Sequence, residues 1–372
     1  MVLEAQSPTI IRFWEALLPT QQSEQPSLQL WQGQGYQPTS FKDVHAQAHC
    51  VAGYLMRRGI GKGDHIGIVA KPGLRYHVFH IALQYLGIVN VTFPPGFSSR
   101  EIEQMAFRYN FKMLYVDSAA EFLALGEFKD LKAGLQGVII GEDDVDALEP
   151  DKIVTFDRVV TIGKSAWREE ANQLRALKAA VELKSIYSIL VEANGKTTPV
   201  SMEKWMQAVD FAEKQLVASG SKSLLSTMNP DRLIWRSYGF AAVRKQVLWW
   251  IREGNDFKAA KLIDVKPKTI LLDPSGLRQL YDLLPELIDV PEKGRKAIQL
   301  AMEVVRKRDL AKAEGKKDKL MNRIKYRMSN RKVYGRIRTK LGGSLAVLVC
   351  DLGLVDPDAR LLLEECGFRI TT

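Results

Sequence analysis

Apolar and polar positions alternate between two rhythms along this chain. Phe41, Val44, Ala48, Val51, Ala52 and Leu55 recur at helical spacing, which predicts a helix capped by Thr39 or Ser40 and running through Arg58. The glycines of "GIGKGDHIGIVA" close it and lead into a strand over His65–Val69. A helix from Leu74 to Tyr85, the strand "IVNVTF", a helix opened by Ser98, Ser99, Glu101 and Glu103, and the strand "KMLYVD" follow. "GVIIGE" and "RVVTIG" read as two more short strands, with the acidic "GEDDVDALEPDK" between them as a surface loop. A helix over Thr9–Leu18 and two short strands within "LQLWQGQGYQPTSF" precede all of these.

From Ser185 the pattern gives the strand "SILVE", a helix over Met202–Ala218, the strand "RLIWRS" and an apolar helix around "VRKQVLWWIREG". The strand "KTILLD", a helix over Ser275–Leu284, a long basic helical stretch to Leu341 and the strand "LAVLVC" come next. The last helix is capped by Asp356, with Pro357 at its first position, where no N–H is needed. Strands alternating with helices of this length predict an α/β fold with mostly parallel sheets covered by helices on both faces. No internal repeat is visible.

Composition narrows the class. A chain of 372 residues has room for about two domains, and 46% hydrophobic with 26% charged residues is ordinary for a globular protein. No run of about 18 apolar residues predicts a transmembrane helix. Glu4 and the lack of basic residues ahead of the first apolar stretch argue against a secretory signal. Cys50, Cys350 and Cys366 have no paired spacing and read as reduced, buried thiols of a cytosolic protein. Cys350 has no identifiable histidine partner, so it reads as a core thiol and not a nucleophile.

Charge is distributed unevenly. The net charge is +10, yet Glu303–Lys340 alone holds 15 Lys and Arg against four acids, a local excess of +11. Arg323, Lys325, Arg327, Arg331 and Lys332 form the centre of this basic surface. A solvated helical face is the plainest reading. An anionic membrane surface comes second and nucleic acid third, since Tyr326 and Tyr334 are interleaved without a nucleic-acid motif.

Three further constellations bear on chemistry. "EANGKTTPVSMEKW", Glu192–Trp205, places Gly-Lys-Thr-Thr after a buried strand. A P-loop needs a glycine five positions before Gly195, where Leu190 stands, so the segment reads as a polar turn between a strand and a helix. His45 with His49, and His77 with His80, are spaced to share a helix face, but no third ligand accompanies either pair. They read as surface or half-buried histidines. Trp249 and Trp250 read as core and helix-flank residues.

The stretch "SFKDVHAQAHCVAGYLMRRGIGKGDHIGIVAKPGLRYHVFHIALQYLGIVNVTFPPGFSSREIEQMAFRYNFKMLYVD" resembles the N-terminal part of the adenylate-forming acyl-CoA synthetases, most of all the long-chain fatty-acid–CoA ligases. The likeness resumes in "KPKTILLDPSGLRQLYD", in "KLMNRIKYRMSNRKVYGRIRTKLGG" and in "LAVLVCDLGLVDPDARLLLEECGF". It implies two Rossmann-like subdomains, residues 1–180 and 181–372 with the basic helical segment at 303–340, without the family's β-barrel and C-terminal lid.

Departures from the family pattern set the functional expectation. In place of the Ser/Thr- and Gly-rich ATP loop stands "EANGKTTPVSM", so Gly195, Lys196, Thr197 and Thr198 are what remains to hold a phosphate. "WRSYGFAAV" occupies the place of the Pro-x-x-His gate without a histidine, and Asp351–Leu354 replace the Gly-Gly-Ala-Pro turn. The chain ends at "GFRITT", ahead of the family's Tyr-Gly-x-Thr-Glu motif. The resemblance therefore implies a non-catalytic relative of the long-chain ligases, a binding, scaffold or regulatory protein near fatty acid metabolism, cytoplasmic or peripheral at a membrane, with a protein partner. No cofactor is expected, and ATP or AMP with Mg only if the degenerate loop still binds. The alternatives are half of a split ATP-dependent ligase completed by another chain, and a basic adaptor for membrane or nucleic acid.

Overall fold

The computed structural model describes residues 10–20, 24–32, 35–94, 96–125, 134–141, 153–192, 194–252, 262–315, 320–350 and 356–371. Contacts gather the chain into two compact units, Met1–Lys214 with Asn229–Glu253, and Gln215–Met228 with Gly254–Thr372.

In the first unit β1 (Pro26–Gln32) pairs antiparallel with β2 (Gly35–Ser40) and parallel with β11 (Leu248–Ile251). A seven-stranded sheet holds β3 (His65–Val69), β4 (Val89–Thr92), β5 (Phe111–Val116), β6 (Gly137–Ile140), β7 (Ile153–Thr155), β8 (Ile186–Val191) and β9 (Thr197–Ser201). Their order is β7-β6-β5-β3-β4-β8-β9, and only β8 and β9 run antiparallel. Ile66, Ile68, Val91, Leu114, Val116, Ile139 and Ile140 are buried, as expected of strands with both faces covered. Strand β3 lies between β4 and β5, so the winding direction reverses there, and the carboxyl ends of these strands form the switch point.

Local signals explain most of the helices. Ser40 accepts from the Asp43 N–H and starts Phe41–Arg57, and Ser98 with Glu101 forms a capping box ahead of Ser99–Tyr109. Gly53 and Gly163 let helix Phe41–Arg57 touch helix Phe156–Glu169 backbone to backbone, since a Cβ on Gly163 would sit 1.7 Å from the Cys50 carbonyl oxygen.

Several elements differ from the sequence expectation. "RVVTIG" lies inside helix Phe156–Glu169, where Thr155 caps the start and Phe156, Val159, Gly163 and Ala166 bury one face. "RLIWRS" opens helix Leu233–Arg244, which is buried nearly all round and so shows no apolar period. "VRKQVLWWIREG" is the end of that helix plus strand β11, separated by Gln246 at φ 57°. Trp249 therefore sits on a strand, packed over Gly239, where a Cβ would approach its ring to 2.0 Å. Strands β8 and β9 complete the first sheet, so the units do not follow the division at residues 180 and 181. Most of the acidic stretch, Glu142–Lys152, and Asp351–Leu354 fall outside the described residues.

The second unit has a parallel sheet of β10 (Ser223–Ser226), β12 (Thr269–Leu271), β13 (Val347–Val349) and β14 (Arg369–Thr371), in that spatial order. Helices Pro274–Ile288, Pro291–Ala313, Leu320–Ser329, Gly335–Lys340 and Pro357–Glu365 accompany it, with Asp273 and Asp356 as caps. Cys50, Cys350 and Cys366 are buried thiols that form no disulfide. Among the described residues no helix is long and apolar enough to cross a membrane.

The paired histidines belong to the core of the first unit. His77 and His80 are buried because helix Leu74–Leu86 is enclosed on all sides from Tyr76 onward, and His45 is buried on helix Phe41–Arg57, where His49 is half-buried. His45 bonds the Tyr85 hydroxyl, His80 bonds Gln84, and His49 lies 2.8 Å from Lys178 Nζ. No group of three His, Cys, Asp or Glu able to hold a metal occurs among the described residues. Burial pushes His77 down to about 3 and His49 down to about 4, with Lys178 adding to the latter, and holds His45 and His80 well below the usual histidine range.

Two predictions follow from this packing. Gly163→Ala should lower stability by roughly 1–3 kcal/mol, read as a fall in the urea midpoint, because backbone must move to admit the methyl. Stability should also fall on acidification. The unfolded histidines protonate near 6.5 while the folded ones stay neutral, so each contributes fully above that pH and loses up to about 1.4 kcal/mol per pH unit below it. Asp117, raised by burial to about 6, takes up a proton in the folded state and offsets one of the four. Denaturant midpoints that stay level from pH 7 to about pH 5 would contradict this account.

Candidate functional site

The Gly-Lys-Thr-Thr segment is the turn of a β-hairpin and not a passage from strand to helix. Strands β8 and β9 pair directly, Val191 with Thr197 and Leu190 with Thr198, and helix Met202–Ala218 begins only after β9. Gly195 at φ +78° allows the tight reversal. The turn's own acceptors take its N–H groups: Glu192 N–H donates to the Lys196 carbonyl at 2.8 Å, Gly195 N–H to the Glu192 carbonyl at 2.8 Å, and Lys196 N–H to Asn194 Oδ1 at 2.8 Å. Lys196 Nζ lies 3.7 Å from the Glu192 carboxylate, and Thr197 Oγ1 accepts from the Tyr109 hydroxyl at 2.7 Å. A phosphate cradle needs several free N–H groups aimed at one point, and the three named here are already engaged.

Behind the hairpin the first unit holds a buried cation that the sequence reading missed. Arg236 is 2% exposed on helix Leu233–Arg244, inside "WRSYGFAAV". Its Nε donates to the Pro230 carbonyl at 2.7 Å, and its Nη1 to Asn90 Oδ1 at 2.9 Å and Ser188 Oγ at 2.6 Å. Asn90 and Ser188 are register partners on β4 and β8, and Ser188 Oγ also donates to Asn90 Oδ1 at 2.8 Å. Asn90 Nδ2 donates to the Tyr187 carbonyl at 2.8 Å, so the network ties two strands to one helix. The available signal was one arginine inside an apolar stretch, with Asn and Ser inside two buried strands.

Next to this network lies a small cavity of about 40 Å³ lined by Trp14, His77, Gln84, Trp205, Trp235 and Arg236 among others. That is room for a few waters, against several hundred Å³ for a ligand the size of a nucleotide.

At the switch point, Asp117 follows strand β5. Its carboxylate accepts from the Lys71 N–H at 2.5 Å and the Tyr115 hydroxyl at 2.9 Å, while Lys71 Nζ pairs with Glu121 at 3.2 Å. A carboxyl group stands where an anion would need donors.

The basic residues form a separate surface in the second unit. Arg323, Lys325 and Arg327 project from helix Leu320–Ser329, and Arg331 and Lys332 from the π-helical turn Asn330–Tyr334 that follows; all five are exposed. The structure thus groups these five and places Gly195, Lys196, Thr197 and Thr198 in the other unit.

Comparison with known proteins fits this architecture. Residues 18–182 match the family model described as AMP-binding enzyme. No curated protein matches the sequence. The A domain of carboxylic acid reductase from Segniliparus rugosus, solved with AMP and a co-purified carboxylic acid, superposes with a TM-score of 0.66 at 11% identity, covering 99% of this chain and 60% of its own. A luciferase-like enzyme from the nonluminescent mealworm Zophobas morio gives 0.63 at 14% identity, covering 97% of this chain and 71% of its own. The fatty acyl-adenylate ligase of L. pneumophila, solved with acyl adenylate and pyrophosphate, gives 0.63 at 9% identity, covering 98% and 54%. At these identities the likeness shows the fold. The chain spans 60% of the reductase domain and 54% of the ligase. With the family model matched over residues 18–182, the chain is similar there to the AMP-binding enzymes, and it has the fold of the N-terminal part of the adenylate-forming enzymes.

Proposed function

We propose that this chain is a non-catalytic relative of the AMP-binding acyl-activating enzymes, acting as a binding, scaffold or regulatory protein. The observation that carries the reading is the Glu192–Lys196 turn, where the N–H groups of Glu192, Gly195 and Lys196 serve the hairpin and the lysine faces a glutamate. ATP and Mg, which the family implies, do not fit these residues. Phosphoryl displacement depends on donors already in place, and loss of one such donor typically costs about 100-fold or more in rate.

Arg236 supports the same reading. It stands within the stretch that occupies the place of the gate motif, and its Nε and Nη1 donate to Pro230, Asn90 and Ser188. A side chain held in this way by three buried oxygens ties strands β4 and β8 to its helix.

Two measurements test the proposal. Carboxylate-dependent exchange of pyrophosphate into ATP, assayed with the purified chain across short and long fatty acids, should equal the heat-denatured control. Exchange above it that disappears in Lys196→Ala would overturn the reading. Arg236→Leu should cost roughly 2–4 kcal/mol in denaturant unfolding, because it strips a buried network of its central donor. A neutral effect on stability would mean that the guanidinium is free for another task.

A further inference from the structure

Helix Leu320–Ser329 has no buried residue. Leu320, Met321, Ile324 and Met328 are 71%, 61%, 44% and 51% exposed. At 3.6 residues per turn these four fall within an arc of about 100°, opposite the side on which Tyr326 packs under Arg308 of the preceding helix. Arg323 and Arg327 flank the apolar arc on one side and Lys325 on the other, with Arg331 and Lys332 continuing beyond the helix end.

The charges on this helix differ from those on its neighbour. On helix Pro291–Ala313, Lys307 pairs with Glu303 and Lys312 with Asp309, and Arg306 reaches Asp358. Among the described residues Arg323, Lys325, Arg327, Arg331 and Lys332 take part in no ion pair. Arg327 and Arg331 also border an open groove of about 740 Å³ whose other cations include Arg336, Arg338 and Lys340. Of these, Arg336 and Arg338 are partly spent on the Ile288 and Cys366 carbonyls.

We propose that this helix lies in the surface of an anionic phospholipid bilayer, with Leu320, Met321, Ile324 and Met328 entering the acyl boundary and the flanking cations meeting lipid phosphates. Both halves of the argument are needed. An exposed apolar stripe on one helix is costly in water and marks a contact surface. Unpaired Lys and Arg on both sides of it match a plane of negative headgroups, with long stems that let the charges stay at the interface. Nucleic acid would use the cations and leave the stripe in water. The inference rests on the second unit alone and is independent of what the hairpin does with ATP.

Flotation with vesicles of phosphatidylcholine, with and without phosphatidylserine, tests it. The wild-type chain should float with the anionic vesicles at low salt and be released as salt rises. Changing Arg323, Lys325, Arg327, Arg331 and Lys332 to Gln should weaken binding about tenfold or more, and Ile324→Ser with Met328→Ser should do the same at unchanged charge. All seven side chains are outside the core, so circular dichroism and unfolding midpoints should match wild type. The proposal fails if anionic vesicles do not bind, or if the Ser variant binds them as wild type does. It also fails if duplex DNA or RNA binds in a way sensitive to the Gln changes and indifferent to the Ser changes. A dimer that the Ser variant dissolves would assign the stripe to a second copy of the chain and overturn the proposal as well.

Discussion

A guanidinium carried into the interior is the constraint around which the first unit is arranged. Arg236 donates from Nε and Nη1 to the neutral oxygens of Pro230, Asn90 and Ser188 where two parallel strands meet a helix, while its Nη2 is buried with no hydrogen-bond partner. Burying a cation without compensating bonds costs far more than a single residue's share of folding stability. The strands β4 and β8 must therefore keep Asn90 opposite Ser188, and the helix must keep Arg236 facing them. The aromatic packing around it, with Trp205 stacked on Tyr187 and Trp235 on His77, closes the same region to anything larger than a few waters.

That arrangement and the hairpin turn point the same way. The fold offers a switch point and a strand-following loop, the two places where an α/β sheet commonly receives a phosphate. Here the first presents the Asp117 carboxyl, and the second is folded back on its own N–H groups. A fold can persist while its site is rebuilt, because packing and site chemistry depend on different residues. The uncompensated charge has instead gathered on the second unit, on a helix that presents apolar side chains and cations together.

Much of this was readable in the sequence, for identifiable reasons. Strands β3 to β6 and helices Phe41–Arg57 and Met202–Ala218 follow the apolar rhythm and carry standard caps. The misread segments share a cause. Val159, Val160 and Ile162 are β-branched and mimic a strand, while only Phe156, Val159, Gly163 and Ala166, further apart, reveal the helix face. Helix Leu233–Arg244 is buried on nearly every side, and its end is marked by a left-handed glutamine where a glycine would have been legible. The basic segment was visible as charge, but which side of each helix faced outward was not, so the exposed Leu and Met stripe could not be anticipated. Arg236 was passed over because nothing local shows that an arginine has distant oxygens waiting for it.

The claim that organises this account is that the Glu192–Lys196 turn has ceased to be a phosphate site. Titration calorimetry with Mg-ATP, run on the wild-type chain beside Lys196→Ala, tests it most directly. The account predicts no measurable heat of binding, or a weak heat that is the same in both proteins. A micromolar dissociation constant that weakens in Lys196→Ala would contradict it.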